Sequence, residues 1–374
     1  MTGKPRARAL DIPFDGEPGP NNALTDVPGV EVGYTTLIEG DAVPGAAKRA
    51  VRTGVTAILP RGRDGVDVPC AAGWFSLNGN GEMTGTAWLE ETGSLTLPVL
   101  ITNTHAVGPC HRGVIDWMVE HKPDAAREWM LPVVAETWDG YLNDVNGPHV
   151  HPKHAAQAID AASGGPIAEG SVGGGTGMTC YAFKGGSGTA SRRVDYGSDE
   201  HTVAVFVQAN FGSRAELTIS GVPVGRYLTD DNPQERPEAA VPGAGSVITV
   251  VATDAPLLPG QCKALARRVP MGLARTGTSG SHFSGDLFLA FSTANPGALA
   301  SGFPKGEPTY ETLRFIPWSR IDAFYAAVVQ AVEEAVINAL VASETMIGRD
   351  GHRSPGLPHA RVRELLTGRA GGST

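Results

Sequence analysis

Two stretches of this chain are apolar at almost every position rather than at every second one. They are Val203-Ala204-Val205-Phe206-Val207-Gln208-Ala209-Asn210 and Val247 to Thr253. Such runs mark strands covered on both faces. Asp286 to Ser292 is a further strand, and Leu97 to Ile101 a shorter one, with Pro98 near its start where a missing N–H is best tolerated. Val30-Glu31-Val32 and Gly54 to Pro60 are strand-like between turn formers. Helical spacing is found over Arg112–His121, His154–Ala162 and Gly260–Arg268. The longest helix is expected from about Ser319 to Thr345, where Ile321, Phe324, Val328, Val332 and Val336 recur at three and four residues. Sheets buried on both faces and flanked by helices predict a layered α/β sandwich. With no internal repeat and no long linker, residues 1–374 are expected to form one domain.

Composition narrows the function. Of 374 residues, 41% are hydrophobic and 18% charged, enough for a sizeable core. A net charge of −9 argues against nucleic-acid binding, which needs a basic footprint. No stretch is expected to reach the roughly eighteen apolar residues of a membrane span. Met1 to Arg8 is basic but no apolar stretch follows, so it does not read as a secretory signal, and a cytoplasmic protein is expected. Cys70, Cys110, Cys180 and Cys262 lack C-x-x-C spacing and read as buried reduced thiols rather than a disulfide or zinc framework. The 49 glycines and 28 prolines imply many tight turns between short strands.

The residues that suggest chemistry gather at strand ends. In Pro242-Gly243-Ala244-Gly245-Ser246 a small-residue run reaches a hydroxyl just where a buried strand opens. Asp230 to Glu238 ahead of it is polar, proline-punctuated and expected to be exposed. One reading is a flexible loop entering an ordinary strand. The other is a chain that cuts itself at Gly245-Ser246: Gly245 lets the peptide adopt a strained geometry, and Ser246 Oγ attacks the preceding carbonyl. The freed Ser246 then has an α-amine, titrating near ~8, as the base for its own hydroxyl. No G-x-S-x-G elbow is present, which weakens a Ser-His-Asp reading. Ser284-Gly285-Asp286 places a carboxylate two residues from a hydroxyl at a strand entry, able to relay a proton or merely to stabilise a turn. Asn210 ends a buried strand and either donates to an oxyanion or caps a turn. Tyr141 lies beside Gly140, and Glu136 and Asp139 flank it; a carboxylate there suits a substrate ammonium, and an exposed surface acid is the alternative.

Blocks in a fixed order carry a resemblance along nearly the whole chain. They include Asn22 to Gly33, Ser76 to Gly85, Ile101 to Gly108, Glu136 to Asp144, Gly173 to Met178, Lys184 to Arg192, Asn210-Phe211-Gly212 and Glu333 to Gly351. Together they resemble the DmpA family of L-aminopeptidase/D-esterases, with the β-peptidyl aminopeptidases as close relatives. The resemblance implies an αββα sandwich of the DmpA and ornithine acetyltransferase type. It also implies a precursor that cuts itself before a Ser, here into segments 1–245 and 246–374, and an acyl-enzyme on that Ser. Asn210 and Tyr141 match residues that stabilise the oxyanion and line the pocket. Ser284 and Asp286 match a Ser-x-Glu pair assisting the nucleophile, though the acid here is one methylene shorter. Glu136, rather than Asp139, is preferred for the substrate's amine. The implied substrates are small peptides, amino-acid amides or esters, with no metal or organic cofactor, and the implied assembly is a homo-oligomer of cleaved pairs.

Two other readings were available. An ornithine acetyltransferase-like acyltransferase would favour a Thr nucleophile, and Ser246 counts against it. A nucleotide-binding protein could use the glycine-rich 170–177 loop, which lacks the Gly-Lys-Ser/Thr of a phosphate cradle. His149, His151 and His154 have metal-like spacing but no adjoining acid or Cys, and an exposed loop is expected there.

Overall fold

The architecture follows from which neighbour each alternate residue of the buried strands meets. The computed structural model describes residues 4–45, 49–235, 245–304 and 306–370, so Pro242 to Ala244 and Arg236 to Glu238 lie outside the described residues. In chain order the elements begin β1 (Glu31–Glu39), β2 (Val51–Leu59), β3 (Cys70–Gly79), α1 (Thr86–Thr92), β4 (Ser94–Leu95) and β5 (Val99–Asn103). There follow α2 (Val107–His121), β6 (Val133–Thr137), α3 (Pro152–Asp160), β7 (Thr179–Cys180), β8 (Phe183–Lys184), β9 (Gly186–Tyr196) and β10 (Asp199–Asn210). The remainder holds β11 (Gly245–Thr253), α4 (Pro259–Ala266), α5 (Val269–Arg275), β12 (Ser284–Ser292), α6 (Asp322–Val341), β13 (Met346–Ile347), β14 (Arg353–Ser354) and α7 (His359–Ala370).

Two sheets stack face to face. One has the order β1-β2-β5-β6 and the other β4-β3-β12-β11-β10-β9. Ile248 and Val250 of β11 and Phe206 of β10 meet Ile58 and Ile101 between the sheets. Their neighbours Val247, Val251 and Val205 point the other way, to Leu265 of α4, Leu273 of α5 and Val328 of α6. On the far side of the four-stranded sheet, Val55 and Leu100 pack with Val114 and Trp117 of α2 and Ile159 of α3. The result is the αββα sandwich.

Boundaries differ from the periodicity where proline starts helices. Pro152 opens α3 and Pro109 sits in the first turn of α2, positions where the missing N–H breaks no helical bond. The histidine segment is a helix entry rather than an exposed loop. His151 N donates to His154 Nδ1 at 3.1 Å, His154 is buried, and His149 Nε2 lies 3.1 Å from Asp144 Oδ2. Contrary to expectation, α6 is long and apolar enough to cross a membrane by length and composition; 72% of that window is buried inside the protein. It packs on β9 and β10 and carries a buried Glu334.

Glu334 ties the two ends of the chain together. Its carboxylate accepts from Arg8 (2.8 and 2.9 Å), Arg192 Nη2 (2.7 Å) and Asn22 Nδ2 (2.6 Å). Burial works to raise its pKa, yet the Arg8 bonds and the Arg192 charge win and hold it below the usual range. Asn338, one turn on, accepts from Ala7 N and donates to the Thr189 carbonyl, both at 2.9 Å. All four cysteines are unpaired and buried, as their spacing predicts.

The glycine-rich loop is a packing device. Gly173 and Gly174 N–H groups are taken by Thr36 Oγ1 and Thr56 Oγ1. A Cβ on Gly174 would lie 2.3 Å from Gln208 Oε1, and one on Gly175 2.4 Å from Ser187 N. With those N–H groups used and the three glycines of 173–175 buried, the loop offers no phosphate cradle.

Candidate active site

Four strand ends meet at one edge of the sandwich. Asn210, the last residue of β10, pairs directly with Ser246 of β11, and β12 opens alongside in parallel register with Ser284 opposite Gly245. The end of β6 closes in from the other sheet. Ser246 shares the parity of Ile248 and Val250, so its hydroxyl points between the sheets. There Oγ accepts the Trp138 backbone N–H at 3.1 Å and lies 3.4 Å from Asn210 Nδ2. Ser246 is 2% exposed.

The network leaves the Asn210 amide one orientation. Oδ1 accepts the Thr179 N–H at 2.9 Å, and Nδ2 donates to the Trp138 carbonyl at 2.8 Å. The donor end therefore faces Ser246. These bonds reach distant segments, so Asn210 is not a cap of its own turn. Two N–H donors thus border the Ser246 hydroxyl, beside which the oxygen of an attacked carbonyl would take up charge. The Trp138 donor was missed in the sequence because a backbone N–H leaves no residue signature.

Gly245 is also required for packing. A Cβ there would sit 2.1 Å from the Asn210 carbonyl oxygen. Close approach of the Asn210 carbonyl therefore demands glycine.

Ser284 and Asp286 form the expected pair. Ser284 Oγ donates to Asp286 Oδ1 at 2.6 Å, and Asn78 Nδ2 donates to Oδ2 at 3.0 Å. Burial raises the Asp286 pKa, and bonds from Ser284, Asn78 and the Val247 N–H offset part of that. Both residues lie within β12 rather than before it, on the parity of Phe288 and Ala290, which faces the helices. They are on the opposite face of the sheet from Ser246 Oγ, and no hydrogen bond joins them to it among the described residues.

Neither candidate acid is a surface acid. Glu136 is buried at the end of β6, accepting from the Thr104 hydroxyl and, at 2.9 Å, from Glu82 N–H. A Cβ on Gly81 would lie 3.3 Å from Glu136 Oε1 and 3.1 Å from Gly285 Cα, and Gly285 is the strand partner of Ser246. Glu136 thus sits across a glycine backbone from the nucleophile's neighbour, and burial pushes its pKa up. Asp139 is completely enclosed. Its Oδ1 accepts from Asn143 Nδ2 at 3.0 Å, and its backbone carbonyl closes the turn onto Leu142 and Asn143. Burial pushes Asp139 up to about 7. Asp139 therefore buttresses the turn that carries Trp138. Tyr141 on that turn stacks its ring on His352 (4.8 Å between centroids), with its hydroxyl 3.5 Å from the Arg353 carbonyl. A cavity of about 660 Å³ lies elsewhere, lined by Trp88, Trp129 and Phe303 and by none of these residues.

Comparison with known proteins decides the family. The model of peptidase family S58 matches residues 22–354. The chain belongs to that family. It is 48% identical over 371 residues to the β-peptidyl aminopeptidase BapA of Sphingosinicella microcystinivorans, covering 97% of this chain and 92% of that protein. Among solved structures, the L-aminopeptidase D-Ala-esterase/amidase of Ochrobactrum anthropi, described as a variant of the Ntn hydrolase fold, aligns with a TM-score of 0.91. It is 46% identical, over 98% of this chain and 99% of that one. A β-aminopeptidase from a Burkholderia species aligns with a TM-score of 0.88 and 44% identity, over 99% of this chain and 100% of that one. This S58 member is a serine-type aminopeptidase with the αββα fold the resemblance implied.

Proposed function

We propose that Ser246 is both the cut site and the nucleophile of this aminopeptidase, with segments 1–245 and 246–374 remaining paired as one catalytic domain. The observation that carries this reading is the convergence of Trp138 N–H and Asn210 Nδ2 on Ser246 Oγ, one residue past a glycine that only glycine can replace. In the cut, Ser246 Oγ attacks the Gly245 carbonyl carbon, the C–N bond breaks as the nitrogen takes a proton, and water hydrolyses the resulting ester. Ser246 is left with a hydroxyl and an α-amine. The fragments stay together because β11 and β12, from the second, lie between β10 and β3, from the first.

In turnover, the α-amine takes the Ser246 hydroxyl proton as Oγ attacks the substrate carbonyl. Asn210 Nδ2 and Trp138 N–H hold the oxyanion. The amine then protonates the leaving group, and water releases the acyl product. Asp286, steadied by Ser284, acts on that amine; the bond it takes from the adjacent Val247 N–H supports the assignment. Glu136 pairs with the substrate's ammonium, and Tyr141 belongs to the pocket wall. The relatives' names support small peptides, amino-acid amides or esters as substrates. A homo-oligomer of cleaved pairs is part of the same proposal, supported by the exposed Tyr310, Phe315 and Trp318. So is a reducing, cytoplasmic setting, supported by four unpaired cysteines.

The test is hydrolysis of amino-acid p-nitroanilides with free and N-acetylated amines. Loss of turnover on acetylation is expected. Equal rates would make the enzyme an amidase or endopeptidase and strip Glu136 of its role.

A further inference from the structure

Lys184 is fully buried, and its ammonium meets no carboxylate among the described residues. Its three donors go to three backbone carbonyls: Gly185 at 2.8 Å, Met178 at 2.9 Å and Gly175 at 3.4 Å. Burial lowers its pKa to about 7.

The Met178 carbonyl has a partner on the same rigid unit. Met178 C=O and Thr179 N–H belong to one planar peptide group, so fixing the oxygen fixes the direction of the N–H. That N–H is the donor to Asn210 Oδ1, the bond that turns Asn210 Nδ2 toward Ser246. The hairpin bearing both ends of this linkage needs restraint. Thr179 and Lys184 pair across β7 and β8, and the turn residues between the strands, Tyr181 and Ala182, have φ of 52° and 58°. Side chains other than glycine are strained in that region, and surrounding contacts must hold them there. Arg214 does so at the tip, donating to the Tyr181 and Ala182 carbonyls at 3.1 and 2.6 Å. Lys184 does so at the base.

We propose that Lys184 is a positioning residue: through the Met178–Thr179 peptide it orients the Asn210 amide that receives the oxyanion. This rests on the proposed role of Asn210, and the experiment separates the two. Kinetics of fully cut protein on an amino-acid p-nitroanilide are compared for wild type, Lys184→Met, Asn210→Ala and the double variant. Lys184→Met alone should lower kcat by about ten- to a hundredfold with KM within about twofold. In the Asn210→Ala background it should cost almost nothing further, since residues acting through one another are non-additive. Lys184→Gln, which keeps an N–H donor, should be intermediate with the same non-additivity, and it carries the test if Lys184→Met does not fold. Equal factors of loss in both backgrounds, or no loss in either, would overturn the proposal. An Asn210→Ala enzyme of wild-type kcat would instead overturn the role of Asn210.

Discussion

On one face of the six-stranded sheet, the Ser246 hydroxyl meets two N–H donors and, among the described residues, no carboxylate. On the other face of the same strand openings, Asp286 meets Ser284, Asn78 and the Val247 N–H, but among the described residues not the Ser246 hydroxyl. The pleat separates the two sets, because residues of opposite parity point to opposite layers. A direct relay from Asp286 through Ser284 to Ser246 Oγ is therefore absent from the uncut chain. The Ser246 nitrogen lies in the backbone between the faces, and cutting the chain would turn it into an amine. In the proposed mechanism one face stabilises charge on oxygen and the other manages the proton on nitrogen.

The largest effect should come from removing the atom that joins the faces. Ser246→Ala should run as one uncut chain and show no turnover; cleavage in that variant would assign the cut to another residue. Next is the oxyanion face. Asn210→Ala, in cut protein, should lower kcat about a hundredfold or more with the fold unchanged, and a kcat within about twofold of wild type would remove Asn210 from the site.

The carboxylate face should give a smaller loss of a different kind. Asp286→Asn should cut slowly or incompletely and hydrolyse weakly even once cut, by about tenfold. A nearby carboxylate favours the charged amine, so its removal should also shift the amine-controlled limb of the pH profile to lower pH. A limb that stays in place would place Asp286 on the hydroxyl instead.

Titration gives the smallest effects. Because burial raises the Glu136 pKa, kcat/KM for free-amine substrates should still be rising with pH above the ordinary glutamate range, and Glu136→Gln should flatten that rise. Asp139, pushed to about 7 in the folded chain, binds its proton more tightly folded than unfolded. Its stabilising contribution is complete below the ordinary aspartate pKa and is lost as pH rises through about 7. The Tm of wild type should therefore fall from pH 5 to pH 8 relative to Asp139→Asn. Parallel Tm curves would show that Asp139 does not titrate there.

The apolar runs were enough to place β10, β11 and β12, and with them Asn210, Ser246 and Asp286 at strand ends. Their alternation also contained the parity that puts Ser246 with Ile248 and Asp286 with Phe288. Which parity faces which layer was not legible, since it depends on where the helices pack. Trp138 contributes a main-chain N–H, which any residue type could supply. Glu136 at the end of β6 and Asp139 just beyond it are both buried acids, and only their neighbours in the fold, Gly81 and Gly285 for the one and Asn143 for the other, separate them. Lys184 stood inside a recognised block, yet its use depends on three carbonyls from two segments that meet only in the fold.

The intact mass of freshly purified protein under denaturing conditions tests the cut before Ser246 most directly. Two species are expected, the second beginning at Ser246, and a single uncut mass for Ser246→Ala. A fully active wild-type enzyme present only as the unbroken chain would contradict it.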